Sequence, residues 1–66
     1  MTRAKRVRRG SKYTVPDDQA LIQATGVGAD GSVTVHDYDD DAVYVESSIG
    51  IARLDNDTFD ALVKAQ

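Results

Sequence analysis

From Ser32 onward the apolar residues fall on every second position. In SVTVHDY, Val33 and Val35 alternate with Thr34, His36 and Tyr38, the period of a strand with one face buried. AVYVES repeats the pattern with Val43 and Val45, and SIGIARL adds Ile49 and Ile51. Pairing Val35 with Val45 on one face requires an odd loop between the first two strands. Asp39, Asp40 and Asp41 with some irregularity supply a loop of three, and a loop of five is the alternative; a plain two-residue hairpin would set Val35 opposite Tyr44 instead. A second loop at Glu46-Ser47-Ser48 would pair Val43 with Ile51 and Val45 with Ile49. The expected apolar face is then Val33, Val35, Val43, Val45, Ile49 and Ile51. A slip of one residue would expose all of it, so the register should be strongly specified.

The period changes at the end of the chain. In LDNDTFDALVKAQ, Phe59, Leu62 and Val63 make one helical stripe. Asp55 is placed to cap this helix, Leu54 to staple onto Phe59, and Lys64 lies in the last turn, where the dipole favours a cation. The stripe is the natural cover for the open sheet face, because a bare three-stranded sheet is marginal in water. The upstream segment YTVPDDQALIQATG reads two ways. Pro16, Asp17 and Asp18 resemble a helix start, Leu21, Ile22 and Ala24 a short apolar side, and Gly26 a stop. Alternatively ALIQAT is a strand leading into GVGADG, which would give the sheet a further partner, and that reading is preferred. The expected fold is α+β: a small antiparallel meander of three to four strands, covered by a C-terminal helix and preceded by a flexible basic arm.

Charge divides the chain. Residues 1–12 carry Arg3, Lys5, Arg6, Arg8, Arg9 and Lys12 and no acid, while the other 54 residues hold all 11 acids against Arg53 and Lys64. An arm of +6 is thus joined to a body of −9, for a net charge of −3. The expected organisation is a basic arm over 1–12 and a small acidic domain over 13–66. The arm has little to bury and repels itself, so it should be disordered alone. A chain of roughly this length buries only about 60% of its unfolded surface. With no cysteine, neither a disulfide nor a thiolate zinc site can support it. No apolar run approaches the roughly 20 residues of a membrane span, and no secretory signal is evident. The chain is expected to be soluble, and cytoplasmic (intracellular) or within a virion.

Catalysis is not expected. His36 is the only histidine and lies on the polar side of its strand; Ser32, His36 and Asp37 do not make a plausible triad on alternating positions of one strand. A calcium loop starting at Asp37 would place Asp39 and Asp41 well, but Ala42 stands where glycine is required and Ser48 where a bidentate glutamate is. No cofactor and no metal site are expected. The acids on the hairpin, Asp37, Asp39, Asp40, Asp41 and Glu46, form a candidate protein-binding face, with Asp55, Asp57 and Asp60 nearby in sequence. The arm is the candidate nucleic-acid contact. Six phosphate contacts would give a log–log salt slope of at most about −5. Its lack of aromatic residues makes any such binding sequence-blind. Three other fates compete for the arm: folding onto its own acidic body, docking on an acidic partner, or aiding solubility.

The function expected is therefore a non-enzymatic interaction module, of the kind found in virions, phages or nucleoprotein assemblies. Its acidic body would dock on a larger protein while the arm contacts nucleic acid or an acidic surface. The alternative is a small acidic nucleic-acid mimic that inhibits a DNA- or RNA-binding protein, as phage anti-defence proteins do. A third reading is a self-associating structural protein with an exposed strand edge.

Overall fold

A computed structural model describes residues 7–66. Four strands form one antiparallel sheet in sequence order, β1 (Lys12–Thr14), β2 (Ser32–Tyr38), β3 (Ala42–Ser47) and β4 (Gly50–Asp55). Helix α1 (Gln19–Thr25) lies between β1 and β2, and α2 (Asn56–Lys64) follows β4 directly. The α+β meander with a C-terminal helix is present as expected. Within residues 7–66 no helix is long and apolar enough to cross a membrane.

The strand reading of ALIQAT is corrected: the segment is helical. Asp18 caps α1 by accepting from the N–H groups of Ala20 and Leu21, and Gly26 ends it in a left-handed conformation, φ 75°. A carboxylate at the N-cap and a glycine after the last turn outweigh the attraction of one more strand. The first sheet partner is KYT instead, through the pairs Lys12–Thr34, Tyr13–Val33 and Thr14–Ser32.

Val35 pairs with Val45, and the loop between β2 and β3 is Asp39–Asp41, both as the sequence implies. The irregularity is a bulge between Val35 and Asp37, after which Tyr38 faces Val43. The β3–β4 register differs from expectation. The turn is Ser48-Ile49, and Val43 meets Leu54 while Val45 meets Ala52. Ile51 therefore stands on the outer face, where it is 55% exposed, and Ile49 at the turn is 67% exposed. A two-residue turn costs less chain than the three-residue loop, and Gly50, at φ 124°, supplies a backbone angle that other residues rarely adopt. Leu54, read as a helix staple, is itself a core strand residue.

The core comprises Val7, Val15, Leu21, Val33, Val35, Val43, Val45, Leu54, Phe59 and Leu62. Phe59 and Leu62 of α2 supply the volume that the two isoleucines do not, and Phe59 meets Tyr13 edge-to-face at 5.4 Å between ring centres. Val63, the third member of the expected stripe, is 39% exposed.

The arm boundary also moves. Val7 is buried, and Gly10 and Ser11 extend the sheet beside β2: the Gly10 N–H donates to the Val35 carbonyl and the Val35 N–H to Ser11, both at 2.8 Å. Among the described residues the upper half of β2 has no other neighbour on that side, so its backbone groups draw the preceding segment in. Residues 7–12 thus pack with the body, and Lys12 belongs to a strand. The expectation for residues 1–6, including Arg3, Lys5 and Arg6, lies outside the described residues.

Both edges of the sheet can be specified. At β1, the Gln66 carboxamide accepts from the Thr14 N–H at 3.0 Å and donates to the Thr14 carbonyl at 2.8 Å, taking the place of a further strand. Gln66 also donates to the Leu62 carbonyl of α2, which holds the amide in position. At β4 the edge carries exposed Ile51 and Arg53.

Candidate functional site: an acidic pole and a clasped arginine

The β2–β3 loop owes its shape to one side chain. Asp39 accepts from the N–H groups of Asp41 and Ala42, each at 2.8 Å, and from the Tyr44 hydroxyl at 3.0 Å. Its own N–H donates to the Ala42 carbonyl, closing the loop. The Asp41 N–H, followed by the Tyr44 hydroxyl, holds the Asp39 carboxyl below the usual aspartate range. Asp39 is a structural acid whose charge is retained at the surface.

The loop is fastened to α2. Asn56, the first residue of that helix, donates to the Asp40 carbonyl at 3.0 Å. Asp55 caps the helix through the Thr58 N–H at 2.8 Å, and this bond holds its carboxyl low as well. The clamp gathers Asp39, Asp40 and Asp41 with Asp55 and Asp57 at one end of the molecule. Asp40, Asp41 and Asp57 have exposed side chains there. Charged groups held on a closed loop and a helix start cost little further ordering when a partner binds.

The five expected face residues do not share one place. Glu46 lies four residues along β3 from Ala42, about 13 Å away by strand rise. It pairs across the outer face with His36 Nδ1 at 3.8 Å. Asp37 faces the N-terminal segment: Arg9 donates to its Oδ1 at 2.9 Å, and the Arg9 guanidinium lies 5.0 Å from the centre of the Tyr38 ring. The Tyr38 N–H also donates to the Asp37 carboxylate, and that bond, then Arg9, lowers its pKa. Arg9 is therefore folded onto the acidic body, one of the fates considered for the arm. Arg8 and Lys12 are exposed, and Lys12 lies on the outer sheet face beside Thr34.

The Ser32, His36 and Asp37 combination is not assembled. Ser32 pairs with Thr14, about 13 Å of strand from His36, and the Asp37 carboxylate is taken by Arg9 and Tyr38. The first two aspartates of the calcium-like spacing, Asp37 and Asp39, are likewise engaged by protein donors. Among the described residues no cluster of histidine, aspartate and glutamate is arranged to hold a metal ion.

Sequence reasoning missed Asn56, Tyr44 and Gln66, the polar residues that fix the loop and the sheet edge. Only Asn56, beside the cap Asp55, carried a local signal. Compared with known proteins, the chain matches no family model, no curated protein and no solved structure.

Proposed function

We propose that the protein is a non-enzymatic interaction module whose acidic pole docks on the basic surface of a larger protein or assembly. The observation that carries this reading is the Asn56–Asp40 clamp, which joins the loop and the α2 start into one preformed group of carboxylates. Within the pole, Asp39 and Asp55 keep the shape, while Asp40, Asp41 and Asp57 present charge outward. The body, at −9 beyond residue 12, is repelled by nucleic acid. Contact with phosphate, or with an acidic surface, therefore falls to the basic residues Arg3, Lys5, Arg6 and Arg8, with Arg9 already spent on Asp37. The module acts inside the cell or in a virion.

The test uses substitutions rather than truncation, because removing residues 2–12 would also remove buried Val7 and strand residue Lys12. Full-length protein and a variant with Arg3, Lys5, Arg6 and Arg8 changed to Ala are titrated onto a generic DNA duplex across a salt series. Binding that is steeply salt-dependent and lost in the variant supports a tether. A second variant with Asp40, Asp41 and Asp57 changed to Lys is compared for binding to a lysine-rich polypeptide. Loss of binding there supports docking through the pole. Duplex binding that is unaffected by the first variant, together with polypeptide binding that is unaffected by the second, would overturn the proposal. A purified DNA-binding protein displaced from duplex by the wild type, and not by the second variant, would favour the nucleic-acid mimic.

A further inference from the structure

The two edges of the sheet are treated differently. Gln66 satisfies both backbone groups of Thr14 at the β1 edge. Among the described residues the β4 edge has no such cover. Its two-residue turn closes on the pair Ser47–Gly50, so Gly50, Ala52 and Leu54 aim their backbone groups at β3, and Ile51 and Arg53 aim theirs away. Among the described residues, no hydrogen bond reaches the N–H or carbonyl of Ile51 or Arg53. Of the devices that blunt an edge, β4 has no proline, no lysine and no bulge, and Arg53 is the charge on its open side. The two most exposed large apolar side chains, Ile49 and Ile51, stand at this edge.

We infer that β4 pairs antiparallel with β4 of a second copy, about a two-fold axis at Ile51, to make one continuous eight-stranded sheet. Three observations select this occupant. Centring on Ile51 brings the exposed Ile51 side chains of the two copies into direct contact on the outer face. On the inner face the same register opposes Gly50 and Ala52, the two smallest side chains of the strand. Centring on Arg53 would instead oppose two guanidinium groups. The third observation is electrostatic. The acidic pole adjoins the Asp55 end of β4, and antiparallel pairing sends the two poles in opposite directions. Counted from the axis, the Asp55 positions lie about 27 Å apart, some three Debye lengths at physiological salt. A parallel arrangement would set the poles side by side.

The experiment is sedimentation equilibrium of the full chain over a wide concentration range. Wild type is expected to pass from monomer to dimer. Ile51→Lys and Ile51→Asp place like charges at the axis, and each is expected to raise the dissociation constant by about tenfold or more. Both should keep the wild-type circular dichroism spectrum, because Ile51 is outside the core. An equimolar mixture of the two variants should recover the dimer, as a mixed species identified by native mass spectrometry. A wild type that stays monomeric, variants that dimerise as wild type does, or a mixture that fails to recover, would each overturn the inference.

Discussion

The two hairpins of this sheet are built on opposite plans. The β2–β3 loop is held by side chains: Asp39 gathers two backbone N–H groups and a tyrosine hydroxyl, and Asn56 ties the loop to α2. The β3–β4 turn is held by backbone. Its side-chain hydrogen bonds, among the described residues, come from Ser47, whose Oγ lies 3.3 Å from the Ile49 nitrogen and 3.5 Å from the Gly50 carbonyl. Gly50 at φ 124° does the rest. A side-chain-built loop places fixed charge where a partner can meet it. A backbone-built turn sets register cheaply and leaves its residues outside the core.

The sharpest way to break this comparison is to exchange the roles of Ile51 and Leu54. Leu54→Ala empties a core position and is expected to cost about 2–5 kcal/mol in urea unfolding. Ile51→Ala, in dilute solution, should change stability by no more than about 0.5 kcal/mol. Equal costs would restore the register with Ile51 inside. The next effect is smaller. Gly50→Ala is expected to cost about 1–3 kcal/mol through backbone strain alone, since an added Cβ there meets no atom within 4 Å. Refinement of the variant by NMR should show the strain at the turn and β2–β3 undisturbed.

The side-chain plan predicts a pH dependence that the backbone plan does not. The carboxyls of Asp37, Asp39 and Asp55 are lowered in the folded state, each chiefly by a backbone N–H. Their contribution is present above the unfolded value near 3.9, and is lost as pH falls through the lower folded values. Stability should therefore drop below about pH 4. Asp39→Ala should lower stability at neutral pH and make that acid-side drop shallower, as thermal melts at a series of pH values would show.

The same division explains what could be read from the sequence. The Val35–Val45 pairing and the Asp39–Asp41 loop were legible because the period of two and the run of aspartates agree. Helix α2 was legible because the cap Asp55 stands directly before it and Phe59, Leu62 and Lys64 fall within it. Helix α1 was not: seven residues show barely two turns of pattern, and the decisive signals were the single residues Asp18 and Gly26. The β4 register was missed because Ile51 on the outer face and Ile49 in the turn contradict the rule that apolar residues point inward, while the small Ala52 points in. Strand β1, three residues long, is too short to show a period. Of the candidate site, the loop acids were legible as a group. The departure of Glu46 and Asp37 from it depends on the partners His36 and Arg9, from other parts of the chain.

The Gln66 clasp has a kinetic consequence. It joins residues 52 positions apart, the longest separation of any side-chain hydrogen bond described above. The loop it closes contains every other element, so the clasp has to form after the meander and α2 are in place. Its removal should therefore leave the refolding limb of a chevron unmoved and raise the unfolding limb. Gln66→Ala, measured by stopped-flow in urea, is expected to show that asymmetry. On that basis the lifetime of the folded chain, rather than the speed at which it is reached, is set in part by one amide at the sheet edge.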